Sequence, residues 1–173
     1  ATHPKFAAGD MSTGFIDEHF PEGFNSSKVN LADNNILPVV AGVLQHILDE
    51  RNARVPQATR EYVTRSAKEE LPLTVTLADQ GYRVRAGGKD YAVTTDWQLH
   101  DYVFHAIINS EEFAVQVERK QLSWRVANGG RVADVRVLSA RAAELIHLIP
   151  EKQPPDLSKF LLSPMPGLLV RLQ

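Results

Sequence analysis

Two hydrophobic periods divide this chain. From Asn34 to Arg51, NNILPVVAGVLQHILDER, apolar residues leave almost no polar face, a pattern that predicts a helix buried nearly all round. Asn34 or Asn35 is placed to cap it by accepting from the first free backbone N–H groups, and Pro38 falls near the first turn, where a missing N–H is harmless. After Leu48 the chain turns to Asp49, Glu50, Arg51, Asn52 and Arg54, then Pro56, so the buried portion is expected from Ile36 to Leu48.

From Leu73 the period becomes two. Leu73, Val75 and Leu77, then Tyr82, Val84 and Ala86, then Tyr91, Val93 and Thr95 alternate with polar neighbours. Tyr102 to Ile108, Phe113 to Val117, Leu122 to Val126 and Val132 to Val137 continue the series, with turns at Gly87-Gly88 and Asn128-Gly129-Gly130. Seven evenly spaced strands on short polar turns predict an antiparallel meander or barrel. One apolar helix, a run of strands and no second helical layer imply an α+β fold in which the sheet curls around the helix, with Trp97 or Trp124 among the inward residues.

The remaining stretches carry weaker patterns. Residues 1–24 contain a short predicted helix, capped by Ser12 or Thr13 and running to Phe20, with Phe6, Phe15, Ile16 and Phe20 as its apolar face. Residues 25–33 are polar and read as a linker. Arg51 to Glu70 shows no clear period and reads as a long connection; its Arg and Tyr content makes Arg54, Tyr62, Val63 and Arg65 the candidate partner-contact residues, against the plainer reading of a solvated loop. Arg141 to Ile149 is apolar and ambiguous between helix and strand. Residues 150–159, PEKQPPDLSK, form a stiff proline-rich linker, and FLLSPMPGLLVRLQ begins a new apolar pattern at residue 160.

Composition narrows the chemistry. The chain has 173 residues, 43% hydrophobic and 23% charged, the balance of a globular protein with one ordinary core. A net charge of -2 and a pI near 6.3 give no general attraction to nucleic acid or anionic membrane, and no apolar run reaches the roughly 18 residues of a membrane span. Tyr82, Arg83, Arg85 and Tyr91 are residue types of an oligonucleotide-binding barrel, but without a concentrated basic stripe. Zero cysteines exclude thiol catalysis and disulfides. The six histidines, at 3, 19, 46, 100, 105 and 147, lack metal-site spacing, and His46 is expected to be a hydrogen-bonded core residue. Glu69-Glu70 and Glu111-Glu112 read as solvated carboxylates rather than acid/base pairs. No catalytic, cofactor-binding or metal-binding residue is assigned.

The two ends carry a resemblance. HPKFAAGDMSTGFIDEHFPEGF resembles the C-terminal end of the biotin carboxylase domain in alpha subunits of the biotin-dependent acyl-CoA carboxylase family, in the form of the propionyl-CoA type. FLLSPMPGLLV is similar to the opening strand of the family's biotin carboxyl carrier domain, and LSARAAELIHLIPEK to the segment before it. The resemblance implies that residues 25–149 are the linking (BT) domain, with a helix at 34–51 and a barrel at 71–149, and that 160–173 starts the carrier domain. Family members have a long helix inside an antiparallel barrel of eight strands, so an eighth strand is expected, either missing or within Leu145 to Ile149. The implied role is docking on the carboxyltransferase beta subunit in a hetero-oligomer. Biotin, ATP and Mg belong to the implied holoenzyme, whose compartment is the cytoplasm in bacteria or the mitochondrial matrix in eukaryotes. The family's nucleotide loop and biotinylated A-M-K-M motif are absent from this sequence. A small-ligand-binding barrel, and the equivalent module of a methylcrotonyl-CoA or acetyl-CoA carboxylase, remain as alternatives.

Overall fold

The computed structural model describes residues 5, 8–19, 21–23, 33–67 and 69–149. Two helices, α1 (Phe15–His19) and α2 (Ile36–Asn52), precede eight strands: β1 (Thr59–Ser66), β2 (Glu69–Ala78), β3 (Gly81–Ala86), β4 (Lys89–Thr95), β5 (Val103–Ile108), β6 (Glu111–Arg119), β7 (Trp124–Asn128) and β8 (Arg131–Ser139). Helix α3 (Ala140–Ile146) follows. Every strand pairs antiparallel with its sequence neighbour, and β1 pairs with β8, so the sheet closes into a barrel. Closure gives each of these eight strands a paired neighbour on both sides. The fold class is therefore α+β.

The core follows from the two periods. Helix α2 buries Ile36 through Leu48 with few breaks, and Val39, Val40, Val43 and Leu44 have no exposed surface. These residues share one cluster with inward side chains from all eight strands, among them Val75, Val84, Val93, Phe104, Val115, Val126 and Val135. The helix backbone comes closest to β7, β8, β1, β2 and β3. Trp97 and Trp124 are both buried, ring centroids 6.3 Å apart and nearly perpendicular, a favourable aromatic arrangement. Removing the Leu44 side chain would cost about 2 to 5 kcal/mol, because a closed barrel has little room to collapse onto the gap.

The structure corrects several expectations. The segment Arg51 to Glu70 is not one long connection: it holds β1 and the start of β2, joined to α2 by residues 53–58. Strand β1 escaped the two-residue period because its inward positions are Arg60, Tyr62 and Thr64, polar side chains on the side where apolar ones were sought. The eighth strand is thus β1 and not Leu145 to Ile149, where α3 ends; the Ser139 hydroxyl caps α3 by accepting from Ala142 N at 3.2 Å. Leu122 precedes β7 and is 75% exposed.

At the start of α2 neither asparagine caps with its side chain; Asp33 Oδ1 accepts from Asn35 N at 2.9 Å instead. His46 is in the core as expected, 1% exposed, but neither ring nitrogen has a hydrogen-bond partner. It stands edge-on to Tyr62 and Tyr82, centroids 6.5 and 5.8 Å away. Helix α1 spans five residues with Ile16 65% exposed, while Phe6, Phe20 and the expected linkers 25–32 and 150–159 lie outside the described residues.

Candidate functional site

The C-terminal end of α2 and the first half of β1 form one polar assembly. The Glu50 carboxylate accepts from Gln57 N at 3.2 and 2.9 Å and from Arg60 Nε at 2.8 Å. The Arg60 guanidinium holds the Glu50 carboxyl below its ordinary value, against the opposing effect of burial. Asp49 accepts from the Tyr62 hydroxyl at 2.9 Å and from Gln45 Nε2 at 2.9 Å, and Gln45 Oε1 accepts from Trp124 Nε1 at 3.0 Å. Burial and the Asp49 carboxylate both push the Tyr62 phenol far up, so it stays a donor. These bonds satisfy Arg60 and Tyr62, turned inward from β1, which would otherwise be costly to bury.

The same bonds clamp both ends of the 53–58 connection. Ala53 N bonds Glu50 O at its start, and Gln57 N and Arg60 bond the Glu50 side chain at its end. Between these anchors Arg54 and Pro56 are exposed, and Val55 is 73% exposed. A short apolar and cationic tip, fixed at both ends, loses little conformational freedom when a partner covers it.

The four residues singled out from sequence do not form one surface. Arg54 is on this tip. Tyr62 points inward, 5% exposed, and serves the fold. Val63 is half-buried on the outer wall, opposite Pro72 and Leu138. Arg65 is also outward, 3.7 Å from Glu70, near the far end of β1 and roughly 20 Å along the strand from the tip. No local signal marks this role of Asp49, Glu50 and Arg60, since Glu50 and Arg60 lie 10 residues apart in sequence and Asp49 and Tyr62 lie 13 apart.

The other end of α2 is tethered in a similar way. Asp33 accepts from the Tyr91 hydroxyl at 2.7 Å and from Lys89 Nζ at 3.0 Å, Asn35 Nδ2 donates to the Tyr91 oxygen at 3.2 Å, and Arg131 donates to Asn34 Oδ1 at 2.7 Å. Burial pushes the Asp33 carboxyl up, but the bonds it accepts from Asn35 N, Tyr91 and Lys89 outweigh it and hold it below its ordinary value.

Among the described residues no group of three or more His, Cys, Asp or Glu side chains could hold a metal ion. No helix there is long and apolar enough to cross a membrane. The buried polar side chains hold helix to barrel, and the outer surface carries the Val55 tip and a groove of about 700 Å³ beside β7, β8, β1 and α3. Fold and surface together define a helix-bearing closed barrel domain whose conspicuous polar networks are structural.

The chain belongs to the family described as the propionyl-coenzyme A carboxylase BT domain, which matches residues 37–152. It is 32% identical over 98% of its length to the propionyl-CoA carboxylase alpha chain of Ruegeria pomeroyi, covering 26% of that protein. It is 28% identical to the mitochondrial propionyl-CoA carboxylase alpha chain of Mus musculus and 27% identical to that of Homo sapiens, in each case over 96% of its length and 25% of the relative's. The chain thus spans about a quarter of the length of these curated relatives.

Proposed function

We propose that this chain is the linking module of a propionyl-CoA carboxylase alpha chain and that it docks that chain on the carboxyltransferase beta subunit. In this reading residues 1–24 end a biotin carboxylase domain and 160–173 open a biotin carrier domain. The complete enzyme uses ATP, Mg and bicarbonate to carboxylate biotin, and then carboxylates propionyl-CoA to methylmalonyl-CoA, in the bacterial cytoplasm or the mitochondrial matrix. In this reading the module's part is mechanical: it holds two catalytic units in reach of a shared carrier.

One structural observation carries the docking assignment, the Val55 tip clamped through Glu50. It presents an exposed apolar side chain and a guanidinium on a preorganised connection, a combination favoured at interfaces. A ligand-binding barrel would reserve its interior for a guest. Here Val39, Val40, Val43 and Leu44 of the helix share the core cluster with the strands' inward side chains.

The test is association of the complete protein with purified beta subunit. Val55→Asp is expected to weaken it by about tenfold or more, while the melting temperature stays put because exposed substitutions usually change stability by less than about 0.5 kcal/mol. A wild-type protein that does not bind the beta subunit would refute the docking role.

A further inference from the structure

The groove of about 700 Å³ on the outer wall has a charge character unlike the chain as a whole, whose net charge is -2. Its cations are Arg65, Arg119, Arg136 and Lys120, the last bonded to Glu118, and its one lining carboxylate, Asp134, is already bonded by Arg125 at 2.9 and 3.0 Å. Arg65 and Arg136 are direct cross-strand partners on the outward face of β1 and β8. Like charges placed directly opposite are destabilising. Among the described residues Arg65 pairs with Glu70 alone, at 3.7 Å, a carboxylate it shares with His147 at 3.4 Å, and Arg136 has no ion pair. The Arg119 guanidinium lies over the Trp124 ring, 5.5 Å from its centroid, and has no ion pair among the described residues.

The groove also has an apolar rim. Leu122 is 75% exposed and Ile149 67%, and half-buried Ile146 of α3 also lines the groove. A small inorganic anion would satisfy the guanidiniums but leave that rim in water. A purely apolar segment would cover the rim and strip water from unpaired guanidiniums, which is costly. An occupant that answers both has carboxylates on one side and apolar side chains on the other.

We propose that this groove seats an acidic, amphipathic segment of the partner subunit, its carboxylates against Arg65 and Arg136 and its apolar side chains against Leu122 and Ile149. The planar guanidinium fork suits a carboxylate, and opposed arginines on neighbouring strands suit two carboxylates or one shared between them. The proposal rests on the linking role above and adds to the Val55 tip a second, electrostatic contact.

The experiment measures the affinity of the complete protein for the beta subunit between low and high NaCl, with Arg136→Glu and Leu122→Asp in the groove and Arg83→Glu as a control on the exposed face of β3. All three positions are exposed, so melting curves should coincide with the wild type. The expected result is a loss of about tenfold or more for each groove variant, no more than about twofold for Arg83→Glu, and a salt dependence that is shallower in Arg136→Glu than in the wild type. Wild-type affinity in both groove variants would overturn the groove while leaving the linking role intact. Loss in Leu122→Asp alone would overturn the acidic character of the occupant. Absence of any wild-type association would overturn the linking role, and this proposal with it.

Discussion

Gly42 sits in the middle of α2, where glycine is a poor helix former, and the structure gives the reason it is there. A Cβ at this position would lie 2.8 Å from Leu73 Cδ1 and 3.2 Å from Cδ2, against an ordinary carbon contact of roughly 3.5 to 4.0 Å. Leu73 is 3% exposed and flanked across the strands by Tyr62 and Ala86, so it has little space to retreat. Gly42→Ala therefore sets two effects against each other. Helix propensity favours alanine by about 1 kcal/mol, and overpacking opposes it by about 1 to 3 kcal/mol. The expected net change is a loss of up to about 2 kcal/mol.

The sign should reverse when the obstacle is removed. In a Leu73→Ala background, itself destabilised by about 2 to 5 kcal/mol, Gly42→Ala no longer meets the Leu73 Cδ methyl groups and should stabilise by about 1 kcal/mol. Urea unfolding of the four proteins, compared at a common m-value, yields the coupling energy, expected at about 1 to 3 kcal/mol. Stabilisation of about 1 kcal/mol in both backgrounds, with no coupling, would refute the close seating of α2 on β2. That seating matters for function because it fixes the height at which Asp49 and Glu50 meet Tyr62 and Arg60, and hence the position of the Val55 tip.

Other consequences are open to direct measurement. Burial lowers the pKa of His46 from its ordinary value of 6.5, so the unfolded chain takes up a proton there that the folded one resists. Stability is fully expressed above about pH 6.5 and should fall as pH drops below it, by at most about 1.4 kcal/mol per pH unit from this group, and a His46→Leu variant should lack that component of the decline. Tyr62→Phe leaves Asp49 Oδ2 without its donor and should cost about 1 to 3 kcal/mol in chemical denaturation, whereas an exposed loop tyrosine would cost almost nothing. Ser110 turns the β5–β6 hairpin at φ 73°, a left-handed conformation that costs a side chain about 1 kcal/mol or more. Ser110→Gly should therefore raise the melting temperature; a lower one would mean that the hydroxyl contributes more than the strain removes.

Seven of the eight strands were legible in the sequence because their inward residues are apolar and alternate. Strand β1 was not, and the reason is specific. Arg60, Tyr62 and Thr64 face inward because α2 ends in carboxylates that receive the first two, while the Thr64 hydroxyl donates to Leu71 O at 3.0 Å. Hydrophobic periodicity detects a face that is buried by exclusion from water; it is blind to a face buried against complementary polar groups. The apolar run from Arg141 to Ile149 does not by itself choose between helix and strand; Ser139 as N-cap and the Arg141–Glu144 bond one turn on favour the helix α3 that forms.

The candidate site was less legible still. Arginine and tyrosine anchor interfaces because one end of each is polar and the rest covers apolar area, and the same property lets them bridge a barrel wall to a helix end. Residue type alone therefore selected Arg54 and Tyr62 together, although one projects to solvent and the other is 5% exposed. What separates the two roles is the presence or absence of an internal partner. Tyr62 has Asp49 and Arg60 has Glu50, whereas Arg136 has no ion pair among the described residues even though it faces Arg65 across the β1–β8 seam. That seam joins residues some seventy positions apart and exists only once the barrel closes, so no reading of local pattern could have put the two guanidiniums side by side. A charge with no partner inside the fold is more informative about an external one than any enrichment of residue types.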